Sequence, residues 1–104
     1  MPVTNDIPSF DVLTFDIQNA SFYFRVVNHT LRQQMLLLLH AKGEMKVTDI
    51  YLDLAMDQSV VSRHLAFLRK ARLVQTTKEG KNIFYSVNYA QLARIHELAG
   101  QLLK

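Results

Sequence analysis

The chain has 104 residues, 49% of them hydrophobic and 20% charged, with a formal charge of +3, which suits one soluble globular domain built on a single core. It contains no cysteine, so disulfides, thiolate metal sites and thiol redox chemistry are excluded. No run approaches the ~18 apolar residues of a membrane span, and the start MPVTNDIPSFD lacks a basic segment and apolar core, so a cytoplasmic location is expected.

Residues 1–14 hold both prolines and no clear period, and read as a flexible N-terminal arm before one domain over 15–104. A first helix is expected from Phe15 or Asp16 to about Val27. Ile17, Ala20, Ser21, Phe24 and Val27 recur at helical spacing, while Phe22, Tyr23 and Val26 make the other side apolar too. That is more greasy surface than one small domain covers, and a partner subunit is the simplest way to bury it. Asn28, His29 and Thr30 offer capping side chains, and Leu31 to Ala41 forms a second helix whose leucine run marks it as central core. Lys42 and Gly43 end it.

Val47, Thr48, Ile50, Tyr51, Leu52 and Leu54 make a short third helix, and Ala55-Met56-Asp57 is a three-residue turn of helix-turn-helix type. Asp57 is placed to cap the next helix with its side chain. In DQSVVSRHLAFLRKARLV, 57 to 74, helical placement gathers Gln58, Ser59, Ser62, Arg63, Ala66, Arg69 and Lys70 into an arc of roughly 140°. Val60, Val61, His64, Leu65, Phe67, Leu68 and Ala71 fill the rest. The first side carries no acid, and its small residues allow close approach of the backbone to another surface. Gln58 and Arg63 have the two-pronged donors and acceptors that distinguish A and G edges in a major groove. An amphipathic surface helix is the plainer alternative.

Leu73 to Lys78 and Ile83 to Val87 have strand composition around EGKN, a hairpin with Lys78, Lys81 and Asn82 at its tip. A hairpin directly after a recognition helix is the wing of a winged helix, and cations at its tip suit a phosphate backbone. Tyr89 to Lys104 gives a last amphipathic helix with Leu92, Ile95, Leu98, Ala99, Leu102 and Leu103 on its stripe. The fold class is thus mostly α with a small β-hairpin: a winged helix-turn-helix in the order α-α-α-α-β-β-α. Charge follows the same division. Residues 1–57 hold four basic and seven acidic side chains, whereas 58–85 hold six basic against Glu79 alone, a local +5 suited to a polyanion.

With that order of elements, the segments LRQQMLLLL (31 to 39), QSVVSRHLAFLRKARLV (58 to 74) and KEGKNIFYSV (78 to 87) make the chain from about residue 16 onward resemble the ArsR/SmtB family of bacterial transcription factors. The resemblance implies a two-fold homodimer, its interface formed by the first and last helices through Ile17, Phe22, Tyr23, Phe24, Leu92, Ile95, Leu98 and Leu102. It also implies repression from an inverted-repeat operator in double-stranded DNA, with half-sites roughly 34–36 Å apart. On this reading Gln58, Ser59, Ser62 and Arg63 contact bases or adjacent phosphates. Thr48, Arg69, Lys70, Lys78, Lys81 and Asn82 hold the backbone.

His64 falls where the family has a mainly structural histidine. The family's metal-sensing motifs are missing: the cysteine positions opening the third helix read Val47, Thr48, Asp49, Ile50 and Tyr51, and the Asp and His positions early in the last helix and the His position near its end hold Tyr89, Gln91 and Leu102. No metal, cofactor or membrane is therefore expected, Asp49 and Asp53 read as a solvated acidic face, and the sequence names no effector. Phe22, Tyr23 and Phe24 are better explained as packing than as an effector pocket. Arg72 stands where the family often has Gly; if the helix ends there in left-handed backbone, the cost is about 1 kcal/mol. The competing function is a winged-helix interaction or dimerisation module with weak DNA binding. An enzyme is not expected: the chain has no Gly-rich phosphate loop and no nucleophile and base at a recognisable spacing.

Overall fold

The computed structural model describes the backbone from Phe10 to Leu102 and side chains from Gln18 to Gly100. Among the described residues, five helices and three short strands follow in the order α1 (Phe10–Val27), α2 (Thr30–Lys42), β1 (Met45–Lys46), α3 (Val47–Leu54), α4 (Gln58–Lys70), β2 (Val74–Glu79), β3 (Asn82–Val87) and α5 (Tyr89–Leu102). The arrangement is a winged helix-turn-helix, mostly helical with a small antiparallel sheet.

α1 starts five residues before the expected Phe15, so residues 10–14 are helical, while residues 1–9 of the expected arm lie outside the described residues. The reason is in the spacing: Phe10, Leu13, Ile17, Ala20, Phe24 and Val27 continue one apolar row at steps of three and four. Ala20 and Val26 of this helix are buried. The chain turns at His29, whose extended backbone and ring Nδ1, accepting from the Leu31 amide at 3.2 Å, cap α2. Gln33 ties the same corner by donating to the Val27 carbonyl at 2.7 Å.

In α2 only Met35 and Leu39 reach the centre of the core. The leucine run does not all do so: successive residues turn by about 100°, which leaves Leu37 66% exposed. Leu52 of α3, at 64%, is exposed for the same reason, and Ile50 is the buried anchor of that helix. The inner face of α4 is formed by Val61, His64, Leu65 and Leu68, which pack with Ala71, Leu73, Val74, Val87 and Ile95 into one core cluster.

Both helices of the helix-turn-helix end in the same way. After α3 the Ala55 amide donates to Leu52 and the Met56 amide to Tyr51; after α4 the Arg72 amide donates to Arg69 and the Leu73 amide to Leu68. These are Schellman caps, whose pivotal residue takes left-handed backbone and is usually glycine. Here the pivots are Ala55 (φ 53°) and Arg72 (φ 62°), so the cap geometry is kept at both without a glycine. Asp57 departs from expectation: its backbone is extended as an N-cap requires, but its side chain makes no capping hydrogen bond.

The hairpin pairs Val74 with Val87 through to Glu79 with Asn82, leaving Gly80 and Lys81 as the loop. Gly80 supplies the positive φ, 61°, that a two-residue hairpin loop needs. A third strand not expected from sequence, β1, adds to β3 through Met45–Tyr85 and Lys46–Phe84, giving the order β1-β3-β2. It anchors the start of α3 to the wing. α5 opens on Asn88, whose Oδ1 accepts from the Gln91 amide at 3.2 Å while its own amide donates to the Leu73 carbonyl.

Candidate nucleic-acid interface

Gln58, Ser59, Ser62, Arg63 and Ala66 are all exposed along one face of α4, and Asp57 before them is exposed as well. The opposite face is core, so the helix is fixed by its apolar side with its small and polar side turned outward. Thr48 at the start of α3 and Lys81 and Asn82 of the wing line one shallow groove of about 250 Å³ with Lys46, Val47, Ile83 and Tyr85. Three expected backbone-contacting residues are thereby brought together from elements more than thirty positions apart. Lys78 lies exposed on β2, opposite Ile83.

Lys46 was missed. Its place beside Lys81 depends on β1 pairing with β3, a long-range contact that a two-residue segment does not announce. Lys70 stands apart from the other residues of the polar face. It lies about 18 Å along the helix axis from Gln58, and its ammonium sits 5.7 Å from the centre of the Phe22 ring, facing α1 rather than joining the polar face of the first turns. Arg69 is exposed at the same far end. Phe67, expected on the core side, is 40% exposed, and its ring is covered by the Arg32 guanidinium at 4.5 Å.

On the inner face of α4, His64 is only 8% exposed. Arg32 Nε donates to its Nδ1 at 3.1 Å, which fixes the neutral tautomer carrying its proton on Nε2. Burial lowers its pKa, and the electrostatic effect of His29, Arg32 and Arg63 lowers it further. The His29 ring lies 4.7 Å away. Arg32 also donates to the carbonyls of Arg25 and Val26, both at 3.4 Å, so one guanidinium joins the end of α1, α2 and α4. This is a structural role for the histidine: it sets the seating of α4 and offers no open ligand position.

Of the expected interface residues on the terminal helices, Phe22, Tyr23, Phe24 and Leu98 are half-buried and Ile95 is buried in the core. Leu92 is 38% exposed, and the side chains of Ile17 and Leu102 lie outside the described residues. α1 packs on α5, and Phe24, Val27, Leu92, Ala93, Ile95 and Ala99 line an apolar groove of about 600 Å³ there together with Tyr89 and His96. The Tyr89 hydroxyl meets His40 Nδ1 at 2.7 Å, tying the start of α5 to the end of α2. No helix among the described residues is long and apolar enough to cross a membrane. No group of three or more His, Cys, Asp or Glu among them is arranged to hold a metal ion.

Residues 30–76 match the family model for bacterial regulatory proteins of the arsR family. The chain is similar to the transcriptional activator HlyU of Vibrio cholerae, 32% identical over 68% of this chain and 66% of that protein. It is similar to the arsenical resistance operon repressor of Escherichia coli, 35% identical over 62% of this chain and 56% of that protein. It is also similar to the HTH-type transcriptional regulator MJ1325 of Methanocaldococcus jannaschii, 32% identical over 82% of this chain and 96% of that one. The matches thus span less than two thirds of the first two relatives. The solved structure of HlyU from V. cholerae superposes with a TM-score of 0.63 at 30% identity, covering 84% of this chain and 95% of that one. Its relatives are transcriptional regulators rather than enzymes, and this chain belongs to the ArsR family of bacterial DNA-binding regulatory proteins.

Proposed function

We propose that the protein is a cytoplasmic, dimeric repressor that binds an inverted-repeat operator in double-stranded DNA, the first two turns of α4 from each subunit entering successive major grooves. The observation that carries this reading is the division of α4. Gln58, Ser59, Ser62 and Arg63 are exposed on consecutive turns, while Val61, His64, Leu65 and Leu68 are buried against the core. A helix fixed in this way presents side chains for base edges without backbone adjustment, and small serines permit close approach. Gln58 and Arg63 read bases; Ser59 and Ser62 bond to bases or neighbouring phosphates. Thr48, Lys46, Lys78, Lys81 and Asn82 grip the backbone, with Arg69 at its margin.

Dimerisation through α1 and α5 follows from the apolar groove between them, which a second copy is suited to fill. Repression follows from occupancy: a dimer spanning two half-sites blocks the duplex to other proteins, and the E. coli relative is itself a repressor. Selection from random duplexes by the purified protein tests the reading. A palindrome with half-sites roughly 34–36 Å apart is expected; enrichment of a single, non-repeated site, or of none, contradicts it.

A further inference from the structure

The two flanks of the α1–α5 pair differ in chemistry. One is the apolar groove described above. The other opens between α1, the far end of α4 and the first turns of α5, a pocket of about 440 Å³ lined by Asn19, Phe22, Tyr23, Lys70, Arg72, Gln91 and Arg94. Its size lies in the range of small-molecule sites, roughly 300–1,000 Å³.

Three elements each contribute a cation: Lys70 from α4, Arg72 from the turn after it and Arg94 from α5. The described lining residues include no carboxylate. Phe22 and Tyr23 supply aromatic surface, their rings 6.0 Å apart and tilted by 54°, and the Lys70 ammonium already rests over the Phe22 face. Gln91 braces the wall by donating to the Ala71 carbonyl at 2.9 Å. Arg72 sits at the left-handed pivot that ends α4, φ 62°, and its side chain lines the pocket.

We propose that this pocket binds a small aromatic carboxylate, its ring against Phe22 and Tyr23 and its carboxylate held by the guanidinium forks of Arg72 and Arg94 with Lys70 beside them. Guanidinium matches a carboxylate with two parallel hydrogen bonds, and an aromatic ring between aromatic and cationic groups gains from both. The pocket lies at the end of α4 remote from Gln58, away from the proposed base contacts. A ligand there touches the two terminal helices and the end of the recognition helix at once. Its effect on operator affinity rests on the proposed function; its binding does not.

The test is an amide NMR titration of the full chain with 1-naphthoate, paired with the neutral 1-naphthalenemethanol. The expected result is saturable shifts at Phe22, Tyr23, Lys70, Arg72, Gln91 and Arg94 with the acid only. Binding is expected to be about tenfold weaker in Arg72→Gly and in Arg94→Gln, as loss of a charged hydrogen bond predicts. Arg72→Gly keeps or raises the melting temperature, so its lost binding is not lost folding, and Arg94→Gln provides an independent exposed site. Four results overturn the proposal: no shifts with the acid, equal shifts with the alcohol, shifts confined to Leu92, His96 and Ala99, or unchanged affinity in both variants.

Discussion

Arg32 Nε donates to His64 Nδ1 across 3.1 Å, and this contact joins α2 to the inner face of the recognition helix. The same guanidinium stacks on Phe67 and reaches two carbonyls at the end of α1, so one side chain adds polar ties among three helices to the core packing of α4.

The contact makes stability depend on pH. His64 has a folded pKa below its ordinary value of 6.5, because burial and nearby positive charge disfavour the imidazolium. Once the pH falls below 6.5 the unfolded chain binds the proton more readily than the folded one, so stability rises with pH there. The neutral ring's contribution is complete above 6.5 and is lost as pH falls through that value toward the folded pKa. Thermal melts between about pH 7.5 and 5 are expected to show this slope, and His64→Gln to flatten it. An equal slope in the variant contradicts the assignment.

Arg32→Lys is expected to cost about 1–3 kcal/mol in urea denaturation, because an ammonium cannot stack on Phe67 and also supply the directed Nε and terminal N–H bonds. Combined with His64→Gln, its cost should be clearly non-additive. Simple additivity would show that the pair is not coupled.

The left-handed pivots give predictions of opposite sign. Arg72→Gly and Ala55→Gly are each expected to raise stability by about 1 kcal/mol, since glycine takes this backbone without the Cβ clash. Ala55→Val should lower it, because a β-branched side chain fits that backbone worse than alanine. Denaturant midpoints measure all three.

These pivots also mark what a single sequence hides. The periodic spacing of Val61, Leu65 and Leu68, and the hairpin around Gly80, were legible because they depend on neighbouring residues. So were the exposed positions Gln58, Ser62 and Arg63, which follow from the buried ones by helical geometry. β1 was not legible: two residues, Met45 and Lys46, become a strand only by pairing with Tyr85 and Phe84 forty positions away. The turning of Lys70 onto Phe22, and the partial exposure of Phe67 beneath Arg32, likewise depend on how α1 and α2 cross α4. The turn at Ala55 was legible but its left-handed backbone was not, because alanine is a helix former with no preference for that conformation.

Leu92→Glu places a carboxylate in the apolar groove between α1 and α5. Leu92 is partly exposed in the single chain, so the fold should survive while the proposed dimer dissociates. Sedimentation equilibrium is expected to show a dimer for the original chain and a monomer for the variant, with unchanged circular dichroism. A variant that stays dimeric moves the interface elsewhere.

At the proposed DNA surface, Arg63→Ala is expected to cost about 1–3 kcal/mol and relax preference at one base pair, whereas Lys81→Ala should weaken binding to all sequences and reduce the salt slope by about 1. Quantitative gel shifts on base-substituted duplexes at several salt concentrations separate the two. Identical effects from both substitutions would contradict the division into reading and gripping residues.

The most direct measurement is a titration of the purified protein against its selected duplex and a scrambled duplex of equal length, both at one physiological salt concentration. If the outer face of α4 reads sequence, the selected duplex is bound tighter by about a thousandfold or more. Equal affinity for the two would mean that the exposed Gln58, Ser62 and Arg63 add charge and contact but no recognition.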